Sequence, residues 1–202
     1  MADNYVYLLD GTAYINLTNR CHNACTFCIR NSGDGVAGTP LWLDSEPTAD
    51  DVIKAFESIG PKSNEVVFCG YGEPTERLDV LKKCAAEFKA RGFTTRLNTN
   101  GLGSAVNGRD ISGELNDIDT VSVSLNAPTA EEYAAVTRSK YGLAAFDEVV
   151  SFAKSCASRG INTVFTVVDT IGDELIKKST ELCAQLGIPL RVRKYIADNY
   201  NG

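Results

Sequence analysis

Three cysteines lie within eight positions near the amino terminus, and their spacing is the strongest chemical signal in the chain. Cys21, Cys25 and Cys28 form a C-x3-C-x2-C pattern. Three thiolates on one compact loop can hold three corners of an iron–sulfur cubane and leave the fourth iron without a protein ligand. Clusters that only carry electrons usually have four cysteine ligands. An open coordination position instead lets a metal centre bind a reactive molecule.

Zinc is the main alternative for these cysteines. A structural zinc site takes four ligands, typically a C-x2-C pair with a distant second pair. The one histidine, His22, lies beside Cys21 on the same loop, and no second pair is apparent. A zinc site, or a metal-binding module without catalysis, stays open as an alternative.

A glycine-rich segment, Gly70-Tyr71-Gly72-Glu73-Pro74, follows a predicted strand. Glycine allows a close backbone approach or a positive φ, and Pro74 keeps the residue before it extended. The pattern predicts that Glu73 is presented at the carboxyl end of the strand. An ordinary Gly-Pro turn is the alternative. Cys69, just before the segment, is expected to serve core packing, with a chemical role beside the proposed site as the alternative.

Polar side chains also follow or line other predicted strands. Asn98 opens an Asn-Thr-Asn-Gly turn. The next strand alternates, with valines on one face and Ser124 and Asn126 towards the other. Arg191 and Arg193 share one face of the last strand. If that face lines a barrel lumen, the two cations await an anionic substrate or cofactor; otherwise they are edge-strand charges that discourage aggregation.

The elements that must position these residues alternate between strands and helices. Capping boxes at Thr48 and Thr129 begin two of the amphipathic helices. Strands alternating with helices imply right-handed β-α-β units and a parallel sheet. We therefore predict an α/β fold, a partial (β/α)6 TIM-like barrel, with a doubly wound sheet as the alternative. In both folds chemistry gathers at the carboxyl ends of the strands. The predicted strands are approximately Thr12–Thr18, Glu65–Cys69, Phe93–Asn98, Thr120–Leu125, Asn162–Val168 and Leu190–Lys194.

Length and composition indicate an ordinary globular protein. The 202 residues are 44% apolar and carry a net charge of −6, which favours a single domain over 1–202. The negative charge disfavours nucleic acid as an obligate partner without excluding a local basic pocket. The sequence has no run of about 20 apolar residues, the length needed to cross a bilayer. The segment Met1–Asp10 lacks the basic and then apolar layout of a signal peptide. We expect a cytoplasmic protein with no membrane partner.

Together, the motifs resemble those of the radical S-adenosylmethionine (radical SAM) superfamily. Its signature is this cysteine spacing with an aromatic residue before the last cysteine, the place held by Phe27. The resemblance implies a 4Fe-4S cluster on Cys21, Cys25 and Cys28, with the methionine part of SAM chelating the remaining iron. It also places the backbone around Phe27 near the adenine.

The glycine-rich segment is similar to the superfamily element that holds the methionine ammonium group. By the same resemblance, Ser124 and Asn126 should reach the ribose hydroxyls or the methionine carboxylate. Arg138 is a candidate partner for that carboxylate, with a solvated helix-end cation as the alternative. The residues implied to bind SAM are Phe27, Gly70, Gly72, Glu73, Pro74, Asn98, Ser124, Asn126 and Arg138.

The resemblance also implies a reaction. A donor such as flavodoxin or ferredoxin reduces the cluster, which passes one electron to SAM. The C5′–S bond then breaks to give methionine and a 5′-deoxyadenosyl radical, which abstracts hydrogen from a small-molecule or nucleotide-derived substrate. The alternatives are an activase that forms a glycyl radical on a partner protein, and a non-catalytic module.

Within the superfamily, the chain most resembles the small TatD-associated radical SAM proteins. The segment YINLTNRCHNACTFC and the later GYGEPT carry this likeness. It implies a functional link to a TatD-family metal-dependent hydrolase, and it names no substrate.

Overall fold

The chain is built around one seven-stranded sheet that forms a partial barrel. The computed structural model describes residues 3–31 and 35–195. Nine strands lie in this part of the chain: β1 (Val6–Leu9), β2 (Thr12–Ile15), β3 (Gly35–Val36), β4 (Thr39–Pro40), β5 (Glu65–Phe68), β6 (Thr94–Thr99), β7 (Thr120–Ser124), β8 (Asn162–Val168) and β9 (Leu190–Arg193).

The strand order in the large sheet is β1-β2-β5-β6-β7-β8-β9. β1 pairs antiparallel with β2, and each later pair of neighbours is parallel. The parallel order follows the chain order, so the sheet does not reverse as a doubly wound sheet does. The predicted partial (β/α)6 barrel is therefore confirmed, with β1 and β9 as its edges.

Six α-helices connect or follow the strands: α1 (Ala49–Ile59), α2 (Leu78–Ala90), α3 (Gly103–Asn107), α4 (Ala130–Thr137), α5 (Ala144–Ser158) and α6 (Asp173–Leu186) in the described residues. Both predicted helix starts are confirmed. The Thr48 side chain accepts from the Asp51 backbone N–H, and the Asp51 carboxylate accepts from the Thr48 backbone N–H, which completes a capping box. Thr129 accepts from the backbone N–H of Glu132 in the same way.

The apolar core lies between the helices and one face of the sheet, which we call the outer face. Alternate strand residues such as Ile15, Phe68 and Leu97 point outward and pack against helix residues such as Phe88 and Val149. Three further cysteines, Cys84, Cys156 and Cys183, belong to this core, as predicted. The strand residues between the outward ones point to the opposite face, which we call the inner face.

Two β-strand features were not predicted. The first is β1, a strand of four residues joined to β2 through Asp10 and Gly11, which adopt φ values of 50° and 79°. Positive φ at both residues is typical of a tight hairpin turn, for which Asp-Gly is a strong sequence signal. The second is the β3–β4 hairpin, which lies before α1. No helix among the described residues has the length and apolar character needed to cross a bilayer.

Candidate active site

The cysteine loop follows β2, and the end of α4 holds it in place. The backbone N–H groups of Ala24 and Thr26 donate to the carbonyls of Thr137 and Val136, each at 2.9 Å. These carbonyls belong to the last turn of α4, where no intrahelical N–H is available to them. Arg30 adds a hydrogen bond from its Nη1 to the Asn19 carbonyl at 3.1 Å. The loop is therefore fixed by backbone contacts before any cofactor is considered.

Cys21, Cys25 and Cys28 are partly buried and free of disulfides. Burial, with a smaller effect from the nearby thiols of Cys28 and Cys21, raises the pKa of Cys25 to about 12. Burial also raises the pKa of Cys21, with the charge of Glu73 acting in the same direction. A metal must displace the thiol protons to bind. Three neighbouring, partly buried cysteine thiols form a ligand set that suits iron once their protons are displaced.

In the described residues, no group of three His, Cys, Asp or Glu side chains is arranged around a point suited to a single metal ion. A cubane cluster takes its cysteine ligands on separate irons, so its thiolates do not converge on one point.

The Gly70–Glu73 segment packs directly on the cysteine loop. A Cβ atom on Gly72 would lie 2.3 Å from the Thr18 carbonyl oxygen and 2.6 Å from that of Arg20. The Glu73 backbone N–H donates to the same Arg20 carbonyl at 2.8 Å. Neither glycine adopts a positive φ. The structure thus accounts for these glycines by a close approach to the chain itself, whereas the sequence suggested an approach to a ligand or a positive φ.

Glu73 joins the ends of two neighbouring strands. It is 3% exposed, and burial raises its pKa. Its Oε1 accepts from the Thr75 backbone N–H and from the hydroxyls of Thr75 and Thr99. Its Oε2 accepts from the Asn100 backbone N–H at 2.7 Å. A carboxylate offers about four acceptor positions, so Oε2 keeps one for a further donor. Pro74, also buried, begins the short 3-10 helix Pro74–Arg77 behind it.

Asn98 and Asn100 lie on the inner face of β6 and just beyond its end. The Nδ2 of Asn100 is 3.7 Å from the Sγ of Cys21, within range of a hydrogen bond to sulfur. Asn98 shares a side-chain hydrogen bond with Cys69, and its Oδ1 is buried without a partner in the described chain. Such an atom costs free energy until a ligand or water satisfies it.

Cys69 is not part of the apolar core. Its thiol lies on the inner face, where burial raises its pKa and the Asn98 hydrogen bond opposes the rise. Core packing, the reading preferred from the sequence, is therefore wrong for this residue. The cause is strand alternation: Phe68 points outward into the core, so the next residue points inward.

Ser124 ends β7 on the same inner face as Asn98, and Asn126 follows two residues later. The predicted alternation of β7 is confirmed, since Val121 and Val123 are core residues. Asn126 is buried and adopts φ of 61°, a left-handed conformation that asparagine tolerates better than most residues. Arg138 ends α4, also with a left-handed φ. Its side chain is exposed, and its backbone is next to the Thr137 carbonyl that holds the cysteine loop.

Phe27 is partly buried and belongs to neither apolar cluster of the described chain. The sequence left open whether Arg191 faces the barrel lumen or is an edge-strand charge. Leu190 packs against the outer core, so Arg191 faces inward, and its Nη2 is 3.4 Å from the Ser122 hydroxyl. Arg96 and Asn100 were not predicted as site residues, although the alternation of β6 places Arg96 on this face and Asn100 belongs to the Asn-Thr-Asn-Gly turn that follows it.

A comparison with protein-family models agrees with the site geometry described above. The Radical SAM superfamily model matches residues 15–183, so the chain belongs to the radical SAM superfamily. The protein is an enzyme of that superfamily, and its cofactors are a 4Fe-4S cluster and SAM. The comparison with curated proteins found no match.

Solved structures of radical SAM enzymes share the fold. TYW1 with a lysine–pyruvate adduct bound has a TM-score of 0.62 at 17% identity over 95% of this chain and 66% of that one. anSMEcpe with bound AdoMet has the same TM-score and identity over 91% of this chain and 50% of that one. HydG, a maturase of the [FeFe]-hydrogenase, has a TM-score of 0.57 at 15% identity over 95% of this chain and 43% of that one. The chain thus spans less than two thirds of each of these proteins, and identities this low show the fold alone.

Proposed function

We propose that the enzyme abstracts hydrogen from a small-molecule substrate bound on the inner face of the partial barrel, next to the cysteine loop. The observation that supports this proposal is a continuous row of polar side chains that extends from the cysteine loop onto the inner face. Asn100 contacts Cys21, Asn98 lies two residues below it on β6, and Ser122 lies opposite Asn98 on β7. A substrate on this surface lies beside the position of the cofactors.

We assign the cluster to Cys21, Cys25 and Cys28, and SAM to the residues that the sequence predicted around them. When bound, the two cofactors supply a 5′-deoxyadenosyl radical after one-electron reduction by a donor such as flavodoxin or ferredoxin. The chain itself fixes their relative position. Glu73 supports this assignment because its remaining acceptor position on Oε2 suits the ammonium group of SAM, and its other contacts keep it rigid.

The remaining SAM assignments have support of different kinds. Gly70 and Gly72 hold the Glu73 loop against the cysteine loop, and Pro74 fixes its exit. Asn98 offers a buried, unpaired oxygen on the inner face. Ser124 and Asn126 offer polar groups at the end of β7. The larger set proposed to contact SAM is Phe27, Gly70, Gly72, Glu73, Pro74, Asn98, Ser124, Asn126 and Arg138.

Neither alternative function is favoured. A non-catalytic module would not need Glu73 and Asn100 tied to each other beside Cys21. A glycyl-radical activase would act on a partner protein, and no observation in the described residues points to one. We keep the TatD-family link, the domain extent 1–202 and a cytoplasmic location as parts of the proposal that rest on the sequence.

The first test is anaerobic. The protein is reconstituted with iron and sulfide, reduced with dithionite, given SAM, and assayed for 5′-deoxyadenosine. We expect product from the wild type and from Cys183→Ala, which removes a core thiol outside the site, and none from Cys25→Ala. A normal cluster spectrum that SAM does not change, with no 5′-deoxyadenosine, would refute the proposed reaction. Co-purification with a TatD-family hydrolase tests the narrower link separately.

A further inference from the structure

The inner face carries a group of arginines that the cofactors do not account for. Arg96 on β6 and Arg191 and Arg193 on β9 form this arginine cluster. Arg191 and Arg193 alternate with Leu190 and Val192, so both point inward when Leu190 packs outward. The positive charges of Arg96 and Arg193 both act on Arg191 and on the Cys69 thiol. The three side chains therefore share one region of the inner face.

The positive charge of the arginine cluster is only partly balanced. Arg96 donates from Nη2 to Glu65 Oε2 at 3.0 Å, and its positive charge opposes the rise that burial causes in the pKa of Tyr14. Its Nε is buried and has no partner. Within the described residues, neither Arg191 nor Arg193 forms an ion pair; Arg191 contacts the neutral Ser122 hydroxyl instead.

Arg191 and Arg193 are exposed, so water screens part of the repulsion between the three positive charges, and an anion bound between them would reduce it further. A buried guanidinium N–H without an acceptor adds a cost of its own. Arginine's planar fork matches the oxygens of carboxylate and phosphate groups in pairs. Ser122, which is buried, adds a hydroxyl donor at the same place. The surroundings thus lack one component, an oxyanion.

Resting on the proposed function, we infer that the substrate carries an oxyanion, a carboxylate or phosphate group, that binds between Arg96, Arg191 and Arg193. The arginine cluster lies along the sheet from the end of β6, where Asn100 meets Cys21. The bound oxyanion would hold the rest of the substrate towards the cysteine loop. The carboxylate of SAM is a competing occupant, and the test separates the two.

The experiment titrates the reconstituted holoprotein with inorganic phosphate, and separately with malonate, by calorimetry at constant ionic strength set with chloride. We expect saturable binding of at least one probe to the wild type. Loss of a charge-assisted hydrogen bond corresponds to a fall of about tenfold or more in affinity, so Arg191→Gln and Arg193→Gln should each show it. Lys194→Gln removes the same charge at the next residue and should bind like the wild type. Whichever probe binds more tightly identifies the group as phosphate or carboxylate.

SAM affinity is measured on the same variants by equilibrium dialysis. Retained SAM affinity with weakened probe binding supports the inference. A fall in SAM affinity equal to the fall in probe affinity would assign the arginines to SAM and overturn it, as would equal probe binding by Lys194→Gln and Arg193→Gln. Because probe binding does not depend on SAM cleavage, failure here leaves the 5′-deoxyadenosine test unaffected, and the reverse also holds.

Discussion

Gly72→Ala adds a single methyl group to the Gly70–Glu73 loop, and we expect it to damage the enzyme far more than the small size of that group suggests. The new Cβ would lie 2.3 Å and 2.6 Å from two backbone carbonyl oxygens of the cysteine loop. Ordinary contact needs about 1 Å more, and neither oxygen belongs to a flexible side chain. The two loops must therefore separate, which stretches the 2.8 Å hydrogen bond from Glu73 N–H to the Arg20 carbonyl.

The expected cost combines two effects. Overpacking costs about 1–3 kcal/mol, and loss of a backbone hydrogen bond costs about 0.5–1.5 kcal/mol. A total of roughly 2–4 kcal/mol corresponds to a fall of roughly 5–15 °C in Tm for a chain of this size. Displacing the Glu73 loop by about 1 Å should also lower the rate of 5′-deoxyadenosine formation by about 100-fold.

Thermal unfolding of the apoprotein measures the first effect, and iron content with product formation after reconstitution measures the second. Gly113→Ala is the matched control: its φ is also not positive, and the nearest atoms to a new Cβ, at 3.1 Å, belong to the flexible Arg159 guanidinium. We expect its Tm to stay within about 2 °C of the wild type. If Gly72→Ala matched Gly113→Ala in both Tm and product formation, the proposed close contact between the loops would be refuted.

Three further variants test other parts of the site. Glu73→Gln turns one acceptor into a donor that faces the Asn100 N–H. We expect a loss of about 2 kcal/mol in unfolding free energy and roughly tenfold weaker SAM binding by equilibrium dialysis. Unchanged SAM binding would show that Glu73 is not part of the SAM site. Asn100→Asp keeps the oxygen that accepts from Leu102 N–H but puts an anion near Cys21, so an EPR-monitored titration should show a lower cluster potential; an equal or higher potential contradicts this contact. Thr48→Ala removes the α1 cap and should cost about 1 kcal/mol in denaturant unfolding without changing product formation; a lost activity would show that α1 supports the site directly.

Periodicity predicted the main elements because burial on one face decides them. The parallel strands and five of the six helices follow apolar patterns that predict alternating strands and helices around a parallel sheet. β1 was not predicted because its four residues are too few to show a periodic pattern, although Asp10-Gly11 is a recognisable turn sequence. α3 was not predicted because it has only five residues and begins at Gly103, a residue type that disfavours helix. The close contacts of Gly103 with Thr75 and Ile111 form only in the folded chain.

The site residues were predictable to different depths. Cysteine spacing and the glycine-rich segment are local patterns, so the sequence located both. The partners of Glu73 come from two strands, and Thr99 and Asn100 become neighbours of Glu73 only when β5 and β6 pair. The inward direction of Arg191 likewise depends on Leu190 reaching the core. Contacts of this kind require the register of the sheet, which no single segment contains.

The charge distribution connects the fold to the choice of substrate. The chain carries a net charge of −6, yet the inner face gathers three arginines against one paired carboxylate, Glu65. A protein that bound polyanions over its whole surface would spread its positive charge outward. Here three of the arginines lie on the face that also receives the cysteine loop, while the chain as a whole is acidic. This arrangement agrees with the inferred oxyanion site on the inner face. The phosphate and malonate titrations therefore test the charge of the substrate.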